Sequence, residues 1–163
     1  MAIDRIYAES ETGCCPRFEP APWDEKVVTF KNRLFLRDRV LSVFHIPLNF
    51  GSVMKRNMEK IVGAGALADA PLMLCDNDSL FGTDIYIAVS KEVPGAKMER
   101  MSGIFLSKVF EGGYEKFGKW MKEMGEFVQS RGKKLEKMFV FYTTCPACAK
   151  AYGRNYVVLL ARV

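Results

Sequence analysis

Residues 117–128 read Phe-Gly-Lys-Trp-Met-Lys-Glu-Met-Gly-Glu-Phe-Val, and residues 50–61 read Phe-Gly-Ser-Val-Met-Lys-Arg-Asn-Met-Glu-Lys-Ile. At a constant offset of 67 residues, Phe50/Phe117, Gly51/Gly118, Met54/Met121, Lys55/Lys122 and Glu59/Glu126 are identical and Ile61/Val128 is conservative. In the later copy Tyr114, Phe117, Met121, Met124 and Val128 recur at the spacing of one apolar helix face. The pattern predicts a helix over 112–131 that Gly132 stops. Its counterpart spans about 49–62, with Asn49 as N-cap and Gly63 and Gly65 at its end.

Moving outward, a second echo lies at an offset of 71, where Phe81-Gly82-Thr83-Asp84 answers Tyr152-Gly153-Arg154-Asn155 and each leads into an apolar run. Ahead of the helices, Leu41-Ser42 and Phe44 match Leu106-Ser107 and Phe110 once a one-residue slip is allowed. The remaining apolar and β-branched segments read as strands over about 36–46, 71–76, 84–90, 98–110, 137–144 and 155–163. The order is strand–helix–strand–strand, twice. This predicts an α+β fold of tandem βαββ repeats with pseudo-twofold symmetry, an antiparallel or mixed sheet carrying two main helices on one face. Residues 1–26, with Pro16, Pro20 and Pro22, read as an irregular arm. Residues 27–163 form a single domain, with repeat one over about 27–92, repeat two over about 97–163, and Pro94-Gly95 as the linker.

Composition narrows the function. The 163 residues include 24 Lys and Arg against 19 Asp and Glu, a net charge of +5. The cations are spread along the chain, without the basic stripe or module that nucleic-acid binding requires, so no direct nucleic-acid partner is expected. No run reaches the ~18 apolar residues of a membrane span and no signal peptide is visible, which predicts a cytoplasmic protein without a membrane partner. Five cysteines, an odd number, argue against a disulfide framework. Oligomeric state is not legible.

Aromatic residues make up 12% of the chain. Trp23, Phe44, Phe50, Tyr86, Phe110, Tyr114, Trp120, Phe141 and Tyr142 are candidates to line a ligand hollow where the repeats meet, although each by itself also suits a core. The doubled layout, the run Lys108-Val109-Phe110-Glu111-Gly112-Gly113-Tyr114 and the closing strand Asn155 to Val163 resemble the GyrI-like family. That family includes effector-binding domains of transcription regulators and is related to SOUL haem-binding proteins. Thr143 through Val158 is similar in detail to a stand-alone bacterial subgroup ending in TTCPxCAKxYGxNYVV. The resemblance, over about 30–163, implies a groove for hydrophobic, often cationic or polycyclic, compounds. It also implies a possible hydrolase, since some similar stand-alone members open strained cyclopropane rings of DNA-alkylating natural products with a groove carboxylate and aromatics. One departure stands out. Members often carry a Glu on the strand after the second helix, and Phe139-Val140-Phe141-Tyr142 has no acid there.

Catalytic candidates are Glu111, at the passage from strand to helix, and His45, its counterpart in repeat one and the single histidine. A carboxylate beside apolar rings titrates nearer neutrality and can move a proton, with an imidazole to orient it. An ordinary acid near a helix N-terminus would look the same. Cys145-Pro146-Ala147-Cys148 mimics a thioredoxin-type junction, but too little chain follows it for that fold. As half of a zinc site it lacks a well-spaced second pair among Cys14, Cys15, Cys75 and His45, so no metal ligands are assigned. A Gly-x-Ser-x-Gly elbow and a phosphate-binding glycine loop are absent. No cofactor is expected. The sequence therefore points to a protein that binds a small apolar, polycyclic or drug-like molecule as sensor or sequestering module. The ring-opening hydrolase through Glu111 and a thiol or zinc protein through Cys145 and Cys148 are the alternatives.

Overall fold

The computed structural model describes residues 18–43, 46–47, 50–68, 72–76, 82–143 and 150–163. In chain order its elements are β1 (Lys26–Val43), β2 (Ile46–Pro47), α1 (Phe50–Gly63), β3 (Met73–Asp76), β4 (Gly82–Ala88) and β5 (Lys97–Glu111). A 3₁₀ turn (Tyr114–Lys116), α2 (Phe117–Ser130), β6 (Lys137–Tyr142) and β7 (Tyr156–Arg162) follow. This is an α+β chain of mostly antiparallel strands and few helices. Among the described residues no helix is long and apolar enough to cross a membrane.

The contacts divide the chain into two compact units: Lys31–Ser102, and Gly103–Val163 with the described residues up to Phe30. The division falls inside β1 and β5. Pro94-Gly95 instead makes the turn into β5, with Gly95 at φ 77° and the Ala96 N–H bonded to the Val93 carbonyl at 3.2 Å. The first unit holds most of β1, then β2, α1, β3, β4 and the start of β5, and the second holds the start of β1, the rest of β5, the 3₁₀ turn, α2, β6 and β7.

In the first unit β4 pairs antiparallel with both β1 and β3, and residues opposed across a ladder share a face. Helix α1 buries Val53, Asn57 and Ile61, spaced i, i+4, i+8. The Asn57 side-chain amide donates to Asp38 Oδ2 at 2.8 Å, and Arg56 bonds the same oxygen at 2.7 Å. Leu36, Asp38 and Val40 therefore look toward α1, and Arg37, Arg39, Asp84 and Tyr86 look away from it.

In the second unit β7 lies between β5 and β6. The buried side chains of α2 are Trp120, Met124, Phe127 and Val128. The stripe is turned relative to the expected one: Phe117 and Met121 are half-buried and Trp120 is inside. The helix also begins at Phe117, not at residue 112, because Gly112 at φ 133° breaks the chain direction and the Lys116 N–H closes a 3₁₀ turn on the Gly113 carbonyl at 3.1 Å.

Both helices end as expected, and by one device. Gly65 (φ 63°) and Gly132 (φ 68°) take the left-handed conformation just past the last turn. The following N–H groups, of Ala66 and Lys133, reach back to the carbonyls of Ile61 and Val128 at 2.9 and 3.2 Å.

The echo at offset 71 matches letters without matching direction. It equates Tyr156 with Ile85. Ile85, opposite Asp38, looks toward α1, whereas Tyr156, opposite Glu111, looks away from α2. On β4 the residue facing as Tyr156 does is Tyr86.

Burial pushes the Asp38 carboxyl up, but the hydrogen bonds from Arg56, Asn57 and the Arg39 N–H outweigh it and hold the pKa below the ordinary carboxylate value. Such a group adds stability above its unfolded pKa of about 3.9 and loses it as pH falls through the lower folded value. Asp38→Asn is expected to lower the urea midpoint near neutral pH and to flatten the loss of stability below about pH 4. Urea denaturation followed across that range checks it.

Candidate functional site

The register of β7 settles which side chains of the second unit share a surface. Glu111 opposes Tyr156, Val109 opposes Val158 and Ser107 opposes Leu160, while Phe141 and Phe139 oppose Val158 and Leu160 from the other edge. The neighbouring set, Phe110 with Val157 and Tyr142, and Lys108 with Leu159 and Val140, points the opposite way. Phe110 stacks on Trp120 of α2 with centroids 5.8 Å apart, and the Lys108 ammonium lies 5.3 Å over the Phe127 ring. The second set is thus the helix side. Glu111, Tyr156, Ser107, Phe105, Phe139 and Phe141 form the helix-free side.

That helix-free face runs from closed to open. At one end Phe30, Phe105 and Phe139 are buried, with centroids 5.0 and 6.1 Å apart along the chain of rings. At the other, the Trp23 ring lies 5.4 Å from Phe141 edge-on, and Phe18 lies 6.0 Å from Phe141 and 5.8 Å from Tyr156. Phe18, Trp23 and Tyr156 are half-buried. Edge-to-face contacts of this kind add about 0.5–1.5 kcal/mol beyond area burial.

A polar rim borders the open end. Arg154 donates to the Tyr156 hydroxyl at 2.6 Å and its Nε stands 3.9 Å from Glu111 Oε1. The corner carrying Glu111 is fixed by Asn155, whose side-chain amide donates to the Gly112 carbonyl at 2.7 Å while the Gly112 N–H returns to the Asn155 carbonyl at 3.0 Å. A Cβ at Gly112 would meet the Lys116 side chain at 2.9 Å, so glycine suits both the space and the φ. The Glu111 side chain is 52% exposed and faces a guanidinium. Apolar rings do not enclose it.

The nine expected ligand residues are therefore divided. Trp23 and Phe141 stand together on the helix-free face of the second unit. Phe110 and Trp120 fill the space under α2, and Tyr142 faces that side. Tyr86 belongs to the first unit, on its helix-free side, with the Arg37 guanidinium 5.6 Å over its ring and Phe35 6.4 Å away. Phe44, His45, Cys14, Cys15, Cys145 and Cys148 lie outside the described residues, as do the side chains of Phe50 and Tyr114. Cys75 is buried on the α1 side, its thiol pushed up to about 12 by burial and by the Asp76 charge. Phe18, Tyr156 and Arg154 were missed. Arg154, two residues ahead of Tyr156 at the entry to β7, was the available signal.

Two hollows with charged side chains in their walls lie elsewhere. One of about 450 Å³ in the first unit is lined by Arg37, Arg39, Arg56, Lys60, Asp38 and Asp84 among others, and a shallow one of about 370 Å³ lies between Lys108 and α2.

The model of a family described as "Bacterial hydrolase" matches residues 6–163. Among solved structures, SAV2435 bound to tetraphenylphosphonium superposes with a TM-score of 0.50 at 11% identity, over 85% of this chain and 92% of that one. At that identity the likeness is one of fold. No curated protein matches.

The face depends on one hydroxyl. Ser107 is fully buried and its Oγ donates to the Trp23 carbonyl at 2.6 Å. Ser107→Ala strands that carbonyl and is expected to cost about 1–3 kcal/mol. Tyr156→Phe removes only the acceptor of the largely exposed Arg154 and should stay within about 0.5 kcal/mol. Urea denaturation of the two variants separates the cases, and the Trp23 emission of Ser107→Ala in a Trp120→Phe background should move to longer wavelength.

Proposed function

We propose that this chain, which belongs to the family described as Bacterial hydrolase, binds a small, largely apolar molecule on the helix-free face of its second unit. The observation that carries the reading is the cluster of Phe18, Trp23, Phe141 and Tyr156, in which Phe141 is buried and the other three are half-buried, edged by Glu111 and Arg154. Aromatic walls with a few polar groups at the edge are the usual make-up of small-molecule sites. SAV2435, similar in fold, was solved with an apolar organic cation bound, which supports a small-molecule role of this kind.

The reading includes kinship with GyrI-like proteins, descent from a duplicated βαββ unit, and a cytoplasmic place as sensor or sequestering protein. Tyr86, on the matching side of β4, would serve the equivalent surface of the first unit. The charged hollow there does not suit an apolar ligand, because its arginines would be desolvated without compensation.

The test is a titration with Nile red as a neutral probe. Binding should quench Trp23 emission in a Trp120→Phe background, and Phe141→Ala should weaken it about tenfold, ~1.4 kcal/mol. Equal affinity in Phe141→Ala, with the fold intact by circular dichroism, would sink the assignment of this face.

The hydrolase reading is favoured by the family description and by Glu111 at the edge of the apolar face, opposite Tyr156. There Glu111 would take a proton from a water attacking a strained ring carbon; the ring C–C bond breaks, its electron pair passes to a carbonyl conjugated with the ring, and that oxygen takes up the proton, directly or through water. Turnover of a cyclopropane-bearing aromatic electrophile should then fall by about 10²–10⁴ in Glu111→Gln. An unchanged rate in that variant removes Glu111 from the chemistry.

A further inference from the structure

The N-terminal segment Phe18–Glu25 lies on the proposed site, and its contacts are of the kind a bound molecule would make. Its turn is closed by the Trp23 and Asp24 N–H groups, both bonded to the Pro20 carbonyl at 2.9 Å. From that turn the Phe18 and Trp23 rings rest on Phe141 and Tyr156. Three polar ties join the turn to β5, and all three run in one sense. The turn supplies acceptors and anions, and the strand supplies donors. Ser107 Oγ donates to the Trp23 carbonyl at 2.6 Å, the Val109 N–H donates to Asp24 Oδ1 at 3.2 Å, and Lys108 Nζ stands 3.7 Å from Glu25 Oε1.

A segment that merely continued the sheet would use backbone pairing alone. Here the Val109 N–H is met by a side-chain carboxylate. Glu25 holds a left-handed φ of 52°, a conformation that costs a non-glycine residue free energy and that release of the turn would relax.

We propose that Phe18–Glu25 is an internal occupant of the site, and that the molecule displacing it is a planar aromatic acid. This rests on the reading that the helix-free face binds an apolar molecule, and it adds the ligand's class and the way access is controlled. The aromatic body takes the place of the Phe18 and Trp23 rings against Phe141. A carbonyl or carboxylate takes the Ser107 hydroxyl and the Val109 N–H, the positions of the Trp23 carbonyl and the Asp24 carboxylate. Lys108 itself belongs to the helix side, over Phe127, so the polar groups facing the site are the Ser107 hydroxyl and the Val109 N–H, with Glu111 and Arg154 offsetting one another at the rim. With the arm withdrawn the two donors lose their acceptors, so a molecule that brings acceptors is favoured and a cation gains no partner beyond the already paired Glu111.

The experiment uses the full chain and three probes: 1-anilinonaphthalene-8-sulfonate as aromatic anion, Nile red as neutral aromatic, and tetraphenylphosphonium as aromatic cation. The proteins are the wild type, Phe18→Ala/Trp23→Ala, Asp24→Asn, and the double variant with Phe141→Ala added. Circular dichroism and the urea midpoint establish that each is folded. Asp24→Asn, which removes one charge-assisted tie and no ring, stands in if the double variant is not.

The anionic probe should bind Phe18→Ala/Trp23→Ala about tenfold tighter than wild type, and Asp24→Asn tighter by a few-fold. Adding Phe141→Ala should abolish the gain, and the cation should bind weakest throughout. Unchanged or weaker anion binding in both arm variants, or a preference for tetraphenylphosphonium, overturns the proposal. If Nile red still binds wild type through Phe141 in that case, the binding face survives and only the occupant is wrong. If no probe binds any variant in a Phe141-dependent way, the face itself is wrong.

Discussion

The arrangement of the second unit depends on the antiparallel register of β7 between β5 and β6. Because successive side chains on a strand point to opposite faces, one register decides every neighbour at once. Glu111 opposite Tyr156 places the acid with Phe141 and Ser107, while Phe110 and Lys108 go to α2. A slip of one residue would exchange the two sets and put Phe110 where the arm now rests. The register is itself held past the strand ends by the paired bonds of Asn155 and Gly112 and by the Thr143 hydroxyl donating to the Tyr156 carbonyl at 2.8 Å.

The helices were legible in the sequence because two independent signals agreed. The apolar spacing of residues 117–128 and 50–61 gave the period, and glycines one turn further gave the ends, which the left-handed Gly65 and Gly132 occupy. The start of α2 was less legible. Gly112-Gly113 reads as a tolerable helix beginning, and nothing in the letters says that Gly112 takes a φ no other residue accepts comfortably. The order of strands along the chain was also readable from β-branched and aromatic runs.

The facing of the strands was not readable, and this is why the aromatic list mixed two surfaces. Val157, Val158, Leu159, Leu160 and Ala161 are all buried, so β7 carries no alternation from which to tell inside from outside. Letter identity then filled the gap and equated Tyr156 with Ile85, one residue out of phase. The run Phe139, Val140, Phe141 and Tyr142 is equally apolar throughout, so Phe141 and Tyr142 were expected in one hollow, whereas the register sends Phe141 to the helix-free face and Tyr142 to the other. Glu111 was singled out by its place at the strand–helix passage. Its environment was set by Arg154, which is distant in sequence and joined to it only through the β5–β7 ladder.

The same register explains why an acid absent from β6 does not leave the site without electrostatic character. A carboxylate on β6 would have stood among the rings of Phe139 and Phe141, where its desolvation is repaid only by a cationic ligand. Phenylalanines there leave the charge to the rim, where Glu111 and Arg154 remain in contact with water and largely offset one another. Selection then falls to two donors of β5, the Ser107 hydroxyl and the Val109 N–H, both engaged by acceptors of the chain's own arm. To a cation the surface offers only Glu111, which Arg154 already pairs. A molecule that brings its own acceptors loses little of the hydrogen bonding when it replaces the arm, and its aromatic body recovers the ring contacts of Phe18 and Trp23.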